Sequence, residues 1–265
     1  MDSMKRRIFV IGAGGVGSWL VPSLCLLEGP DSVTVIDGDR LEKKNLNRQL
    51  FTEADLGKNK ASALASKYGC QFSEDWFSSG ALELERSDWL IVCADNNPAR
   101  REAIMECDSY RCQAIIAANE THSAEAYLYF REWKETMADP RVYYPELMNE
   151  SGGDPRARSI GCTGAAQQQN PQLVSANFMA ASLAQHLYVL WAMELPRMEG
   201  WMDILPSMPH KLNANLSRLE THKLEDKHQT KGHNNANNTN DSTRGGAGRD
   251  GSVPAVTLYG VTCAV

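Results

Sequence analysis

Gly12, Gly14, Gly15 and Gly17 stand in "VIGAGGVGSW", a GxGxxG spacing between an apolar run and the start of a helical pattern. Glycines at such positions let backbone amides come close to phosphate, and the helix N-terminus that follows favours negative charge. Asp37 closes the next apolar run, 20 residues after Gly17. A carboxylate there can accept hydrogen bonds from ribose hydroxyls, which serves adenosine equally well in NAD and in ATP. The stretch that comes next, "VIDGDRLEKKNLNRQLF", separates the two readings. A dinucleotide site uses one acid at this place and has no task for Asn45, Arg48 or the later Lys60.

That stretch, with "LGKNKA" after it, resembles the signature of the ubiquitin-activating enzyme superfamily, the ThiF-, MoeB- and HesA-like adenylating enzymes. The matching residues are Asp37 and Asp39, then Asn45, Arg48 and Gln49, then Gly57 and Lys60, all downstream of a correctly placed glycine loop. The resemblance implies a site for ATP and Mg²⁺, and adenylation of the C-terminal glycine of a ubiquitin-like or sulfur-carrier protein. Physical chemistry agrees. A carboxylate attacking an α-phosphate brings two anions together, so cations and amide donors are needed along the triphosphate. Arg48 can grip phosphate oxygens in a fork, Lys60 can supply a point charge, and Asn45 can donate without adding charge. Asp95, in "VCADNNPARR", falls where the family places its Mg²⁺ ligand. Asp95, Asn96 and Asn97 also precede a helical pattern with proline in its first turn, so capping and metal binding can be divided among them. The resemblance further implies a homodimer, and acyl transfer to Cys162 in "RSIGCTGAAQQQNPQL". A thiolate accepts an acyl group well and later leaves well.

Three departures narrow the reading. The two CxxC pairs of zinc-stapled members are missing, so no zinc is expected. Seven residues precede the first strand, so Arg6 or Arg7 substitutes poorly for the arginine that members carry on an N-terminal helix. The glycine-rich start of the family's long helix is replaced by "AAQQQNPQ". These features suit a minimal bacterial-type member. The competing readings are an NAD-dependent Rossmann oxidoreductase, and a non-catalytic scaffold subunit of a heterodimeric activating enzyme. Activation of a small molecule or a tRNA base is a third.

The elements that must position these residues follow from hydrophobic pattern. "RRIFVIG", "SVTVID", "SDWLIVCAD" and "CQAIIAANE" read as strands, and "HSAEAYLYFRE" alternates enough to be another. "GSWLVPSLCLLEG", "GKNKASALASKYG" and the stretch from 171 to 195 read as helices. Alternation of this kind predicts an α/β, Rossmann-like doubly wound sheet, mostly parallel, with helices on both faces. Residues 131 to 161 read as an irregular crossover loop. The expected organisation is an adenylation domain over 1–195, its extension over 196–225, a disordered linker over 226–252 and an apolar segment over 253–265. The linker is almost devoid of apolar side chains and cannot offset its ordering entropy by burial.

A formal net charge of −6 and a pI near 5.6 give nucleic acid no electrostatic invitation. Seven scattered cysteines suggest reduced thiols in a cytoplasmic protein, with Cys25 and Cys93 in core elements. The 171–195 helix carries Asn177, Gln185 and His186 while its apolar residues recur at helical spacing, so it reads as a buried or interface helix and not a membrane span.

Overall fold

A computed structural model describes residues 6–120, 123–136, 138–149, 173–192 and 211–215. Seven strands form one sheet: β1 (Ile8–Ile11), β2 (Val33–Ile36), β3 (Gln71–Ser73), β4 (Trp89–Val92), β5 (Gln113–Asn119), β6 (Ser123–Phe130) and β7 (Lys211–Asn215). Their order is β3-β2-β1-β4-β5-β6-β7. The first five run parallel, while β6 pairs antiparallel with β5, and β7 with β6. The connection from β5 to β6 is too short for a crossover, which dictates their antiparallel pairing. All described elements belong to one unit, Met1–Lys223.

The strands read as continuous apolar runs because both faces of the sheet are covered. On one face Ile8, Val10, Val33, Val35 and Ile91 pack against α1 (Gly17–Glu28), α2 (Lys60–Tyr68) and the long helix α6 (Val174–Ala192). On the other, Phe9, Ile11, Leu90, Val92 and Ile116 meet α3 (Asn97–Tyr110) through Ala99, Ala103, Ile104 and Cys107. The doubly wound expectation therefore holds. The sheet changes winding direction between β1 and β4, and the crevice beyond the carboxyl ends of those two strands is where such folds take ligands.

Local chemistry sets the ends of the elements. Asn59 caps α2 by accepting from the Ser62 N–H at 3.0 Å, and Gly69 closes it in the left-handed region. Arg7, just before β1, clasps Asp88, just before β4, through Nε at 3.0 Å and Nη2 at 2.5 Å. Arg7 thus ties together the two strands that flank the crevice.

Three stretches are more regular than their sequences suggest. β3 is three residues long with exposed Gln71 and Phe72, so it has no alternation to betray it. β7 forms against a partner about ninety positions earlier, beyond the reach of local pattern. Inside the expected crossover loop lie two short helices, α4 (Pro140–Tyr143) and α5 (Glu146–Asn149). The Arg141 guanidinium holds them by donating to Asp139 and Asp108 at 2.8 Å and to the Tyr129 hydroxyl at 2.8 Å. The linker over 226–252, the segment over 253–265 and Cys162 lie outside the described residues.

Candidate active site

The glycine loop leaves β1 at Gly12, whose φ is +98° and whose missing side chain admits the β4 backbone. A Cβ there would stand 2.8 Å from the Ala94 nitrogen. The loop is pinned from β2. Asp37 accepts the Ala13 N–H at 2.6 Å on one carboxylate oxygen and the Asp39 N–H at 2.7 Å on the other. The Asn59 carboxamide donates to the Asp37 carbonyl at 2.6 Å. Burial pushes the Asp37 carboxyl upward, against the pull of Lys60 and of the two backbone donors. Asp37, read from sequence as a ribose acceptor, braces the glycine loop through the Ala13 amide.

Lys60 opens α2 and is buried along its length, with Nζ 2.8 Å from an Asp39 oxygen at the half-exposed mouth of the site. Its backbone N–H donates to the Asp39 carbonyl at 2.9 Å, so the strand-end acids and the lysine form one clasp. Asn45 is buried and accepts the Glu42 N–H at 3.0 Å, while its carbonyl accepts from the Arg48 and Gln49 amides. Its side chain therefore shapes the turn that delivers Arg48 and Gln49. The Arg48 guanidinium donates to the Lys44 carbonyl at 2.9 Å and to Asn47 at 3.2 Å. Gln49 is buried against Gly14, its Nε2 lying 3.7 Å from where a Gly14 side chain would begin.

Of the trio Asp95, Asn96 and Asn97, it is Asn96 that takes the capping role. Asn96 caps α3 through the Ala99 N–H at 2.8 Å. Asp95 keeps a half-exposed carboxylate at the end of β4, one residue beyond the contact with Gly12, and meets buried Arg100 Nη2 at 3.3 Å. A solvent-facing carboxylate beside the phosphate loop fits Mg²⁺, which takes one or two carboxylates plus phosphates and waters. Arg100, Asn97, Glu125, Tyr127 and Tyr144 line a cleft next to it.

The structure thus gathers Gly12, Gly14, Gly15, Gly17, Asp37, Asp39, Gln49, Lys60 and Asp95 around one crevice, with Asn45 as the brace behind them. It turns the Arg48 side chain along its own loop. Sequence reasoning missed Asn59, Ser18, Trp19, Arg100 and Asn177. Asn59 was legible as an N-cap before a helix. Ser18 receives the Leu50 N–H at 3.0 Å, and Trp19 and Asn177 both donate to the Arg48 carbonyl. Nothing local signals those pairings. Among the described residues Cys25, Cys70, Cys93, Cys107 and Cys112 are free and buried, and burial pushes the Cys93 thiol up to about 12. Among the same residues, no helix is long and apolar enough to cross a membrane.

Comparison with known proteins shows the family and the fold. The ThiF family model matches residues 3–185. The NEDD8-activating enzyme E1 catalytic subunit of Caenorhabditis elegans is 40% identical over 106 residues, covering 37% of this chain and 24% of that protein. The adenylyltransferase and sulfurtransferase MOCS3 of Arabidopsis thaliana is 34% identical over 115 residues, 39% of this chain and 24% of that one. The chain spans about a quarter of the length of these relatives. Escherichia coli MccB, solved with AMPCPP and MccA, shares the fold at a TM-score of 0.50 and 19% identity, over 79% of this chain and 63% of that one.

Proposed function

The chain belongs to the ThiF family, and on that premise we propose that it adenylates the C-terminal glycine of a ubiquitin-like or sulfur-carrier protein at the expense of ATP. The observation that carries this reading is a buried Lys60 paired with Asp39, next to the Asp37 carboxylate that pins the glycine loop. A hydride-transfer site would have no use for a buried ammonium there.

In the proposed step a carboxylate oxygen of the glycine bonds to the α-phosphorus. The bond from that phosphorus to the pyrophosphate oxygen breaks, and its electron pair leaves with pyrophosphate. Mg²⁺ bound through Asp95 would neutralise the phosphate oxygens. The amides of the glycine loop and the start of α1 hold phosphate, while Lys60 sets a positive charge against the negative charge that grows on the phosphate oxygens in the transition state. Arg48 reaches the phosphates by exchanging its contact with the neutral Lys44 carbonyl for a forked one to phosphate, in which both partners are charged. The partner's extended tail lies in the cleft beside Arg100 and Tyr144. Transfer to Cys162 would follow, the sulfur attacking the acyl carbon and AMP departing as the thiol proton passes to solvent. The adenylation domain is assigned to 1–195, with 196–225 as its extension.

A homodimer belongs to the same reading. Leu173, Val174 and Phe178 at the start of α6 are 39, 46 and 57% exposed, a cluster of apolar surface that a second copy would cover.

The test is ATP–pyrophosphate exchange by the full chain, alone and with small proteins ending in glycine, beside Asp95→Ala and a nicotinamide-reduction control. Exchange that depends on both partner and Asp95 is expected. ATP binding without exchange for any such partner would refute unaided activation.

A further inference from the structure

The first turn of α6 carries a side chain that touches both phosphate-handling segments. Asn177 is fully buried, and its Nδ2 donates to the Arg48 carbonyl at 3.2 Å. The same carbonyl accepts from Trp19 Nε1, on α1, at 3.3 Å. The peptide of Arg48 is therefore held from two helices, while its guanidinium bonds only within its own loop, to the Lys44 carbonyl and Asn47. On its other side the Asn177 carboxamide lies on the glycine loop. A Cβ built on Gly15 would meet its Nδ2 and Oδ1 at 2.7 Å and its Cγ at 2.8 Å.

The orientation of this amide is settled by chemistry. Turned over, it would set Oδ1 against the Arg48 carbonyl, two acceptors facing each other. In the observed orientation Oδ1 is buried and, among the described residues, has no hydrogen-bond partner, an arrangement that costs free energy and is uncommon in folded proteins. The acceptor is left unsatisfied so that the donor can hold Arg48. One glycine earlier, buried Gln49 stands beside Gly14 with its Oε1 likewise without a partner among the described residues.

We propose that Asn177 is a positioning residue for nucleotide binding: it sets the Arg48 peptide against the glycine loop, so that the placement of α6 governs the phosphate site. The proposal rests on the ATP-binding reading above. Gly15 is glycine because Asn177 fills the space where a side chain would stand. A methyl group at Gly15 cannot be relieved by swinging Asn177 aside, since the amide is enclosed and any shift breaks its bond to Arg48.

The experiment measures the affinity of the full chain for ATP with Mg²⁺, by calorimetry well below the melting temperature, in two double-mutant cycles. Asn177→Ala is expected to weaken ATP about fivefold, the value of one net hydrogen bond. Arg48→Ala combined with Asn177→Ala is expected to bind within about twofold of Arg48→Ala alone, because the effect of Asn177 passes through Arg48. In the second cycle Gly15→Ala weakens ATP about tenfold, and Gly15→Ala with Asn177→Ala returns to the affinity of Asn177→Ala alone. Additive losses in both cycles, or an Asn177→Ala protein that melts earlier yet binds ATP unchanged, would overturn the proposal while leaving ATP binding in place. Failure of the parent chain to bind ATP would remove the underlying reading and this inference with it. If Asn177→Ala does not fold, Gly15→Ala set against Arg48→Ala asks the same question, and additivity there counts against the proposal.

Discussion

Two glycines of one loop have opposite reasons to be glycine, and alanine at each separates them. A Cβ on Gly17 would stand 1.9 Å from the Gly12 carbonyl oxygen and 2.9 Å from its carbonyl carbon. Relief requires more than about 1 Å of movement between backbone segments at the junction of β1 and α1, where close packing resists displacement. Leu20, Val21 and Leu24 of α1 are fully enclosed in the core and would be dragged with it. Overpacking of this kind costs up to about 3 kcal/mol, and more where backbone cannot give. For a chain of this size that is a fall in melting temperature of about 6 to 12 °C. Gly14 differs, since its Cβ would find only Gln49 Nε2 at 3.7 Å, an ordinary contact. Gly14→Ala is therefore expected to melt within about 2 °C of the parent. Its methyl group would instead project where phosphate approaches backbone, weakening ATP at least about tenfold. Thermal and urea unfolding measure the first effect and calorimetric titration with ATP and Mg²⁺ the second. The reasoning fails if Gly17→Ala melts with the parent, or if Gly14→Ala loses as much stability as Gly17→Ala does.

Arg141→Met should loosen the segment around α4 and α5. It removes the cation shared by Asp108 and Asp139, at a cost of about 2 kcal/mol once solvent screening is allowed for, and faster hydrogen exchange over 131–149 is the readout. For Asp55, burial raises its carboxyl, but Lys67, the Thr52 amide and hydroxyl, and Lys58 together hold it well below the ordinary carboxylate range. A lowered folded value means stability that is present above about pH 4 and lost as pH falls through the folded value. Asp55→Asn should accordingly be less stable by about 1 kcal/mol near pH 7, with the difference from the parent closing below pH 3 in acid titrations of urea unfolding. An undiminished difference at pH 2 would contradict that assignment.

Much of the molecule was legible before any coordinate. The strands β1, β2, β4 and β5 are apolar runs, and the helices between them keep their own period, so the parallel doubly wound core follows from pattern alone. The short edge strand β3 and the distant strand β7 were not legible, because neither carries a periodicity of its own. The same division runs through the site. Residues within 37–60 could be read as a unit because their spacing is a spacing along one loop. Sequence located Asp37, Lys60 and Asp95 but could not say how they bond. Asp37 turns out to spend both carboxylate oxygens on backbone amides, and Asn96 takes the capping duty that leaves Asp95 turned to solvent.

What the sequence by itself determined is the fold class, and it named the groups we propose to meet a triphosphate, since both are local: periodicity makes strands and helices, and one turn carries the charges. What only the tertiary structure decided is how those groups are held. Asn177 lies 129 positions from Arg48, and no residue near either one announces the other. Their hydrogen bond exists because α6 packs back over α1 and the carboxyl ends of the strands, bringing together surfaces that chain order keeps far apart.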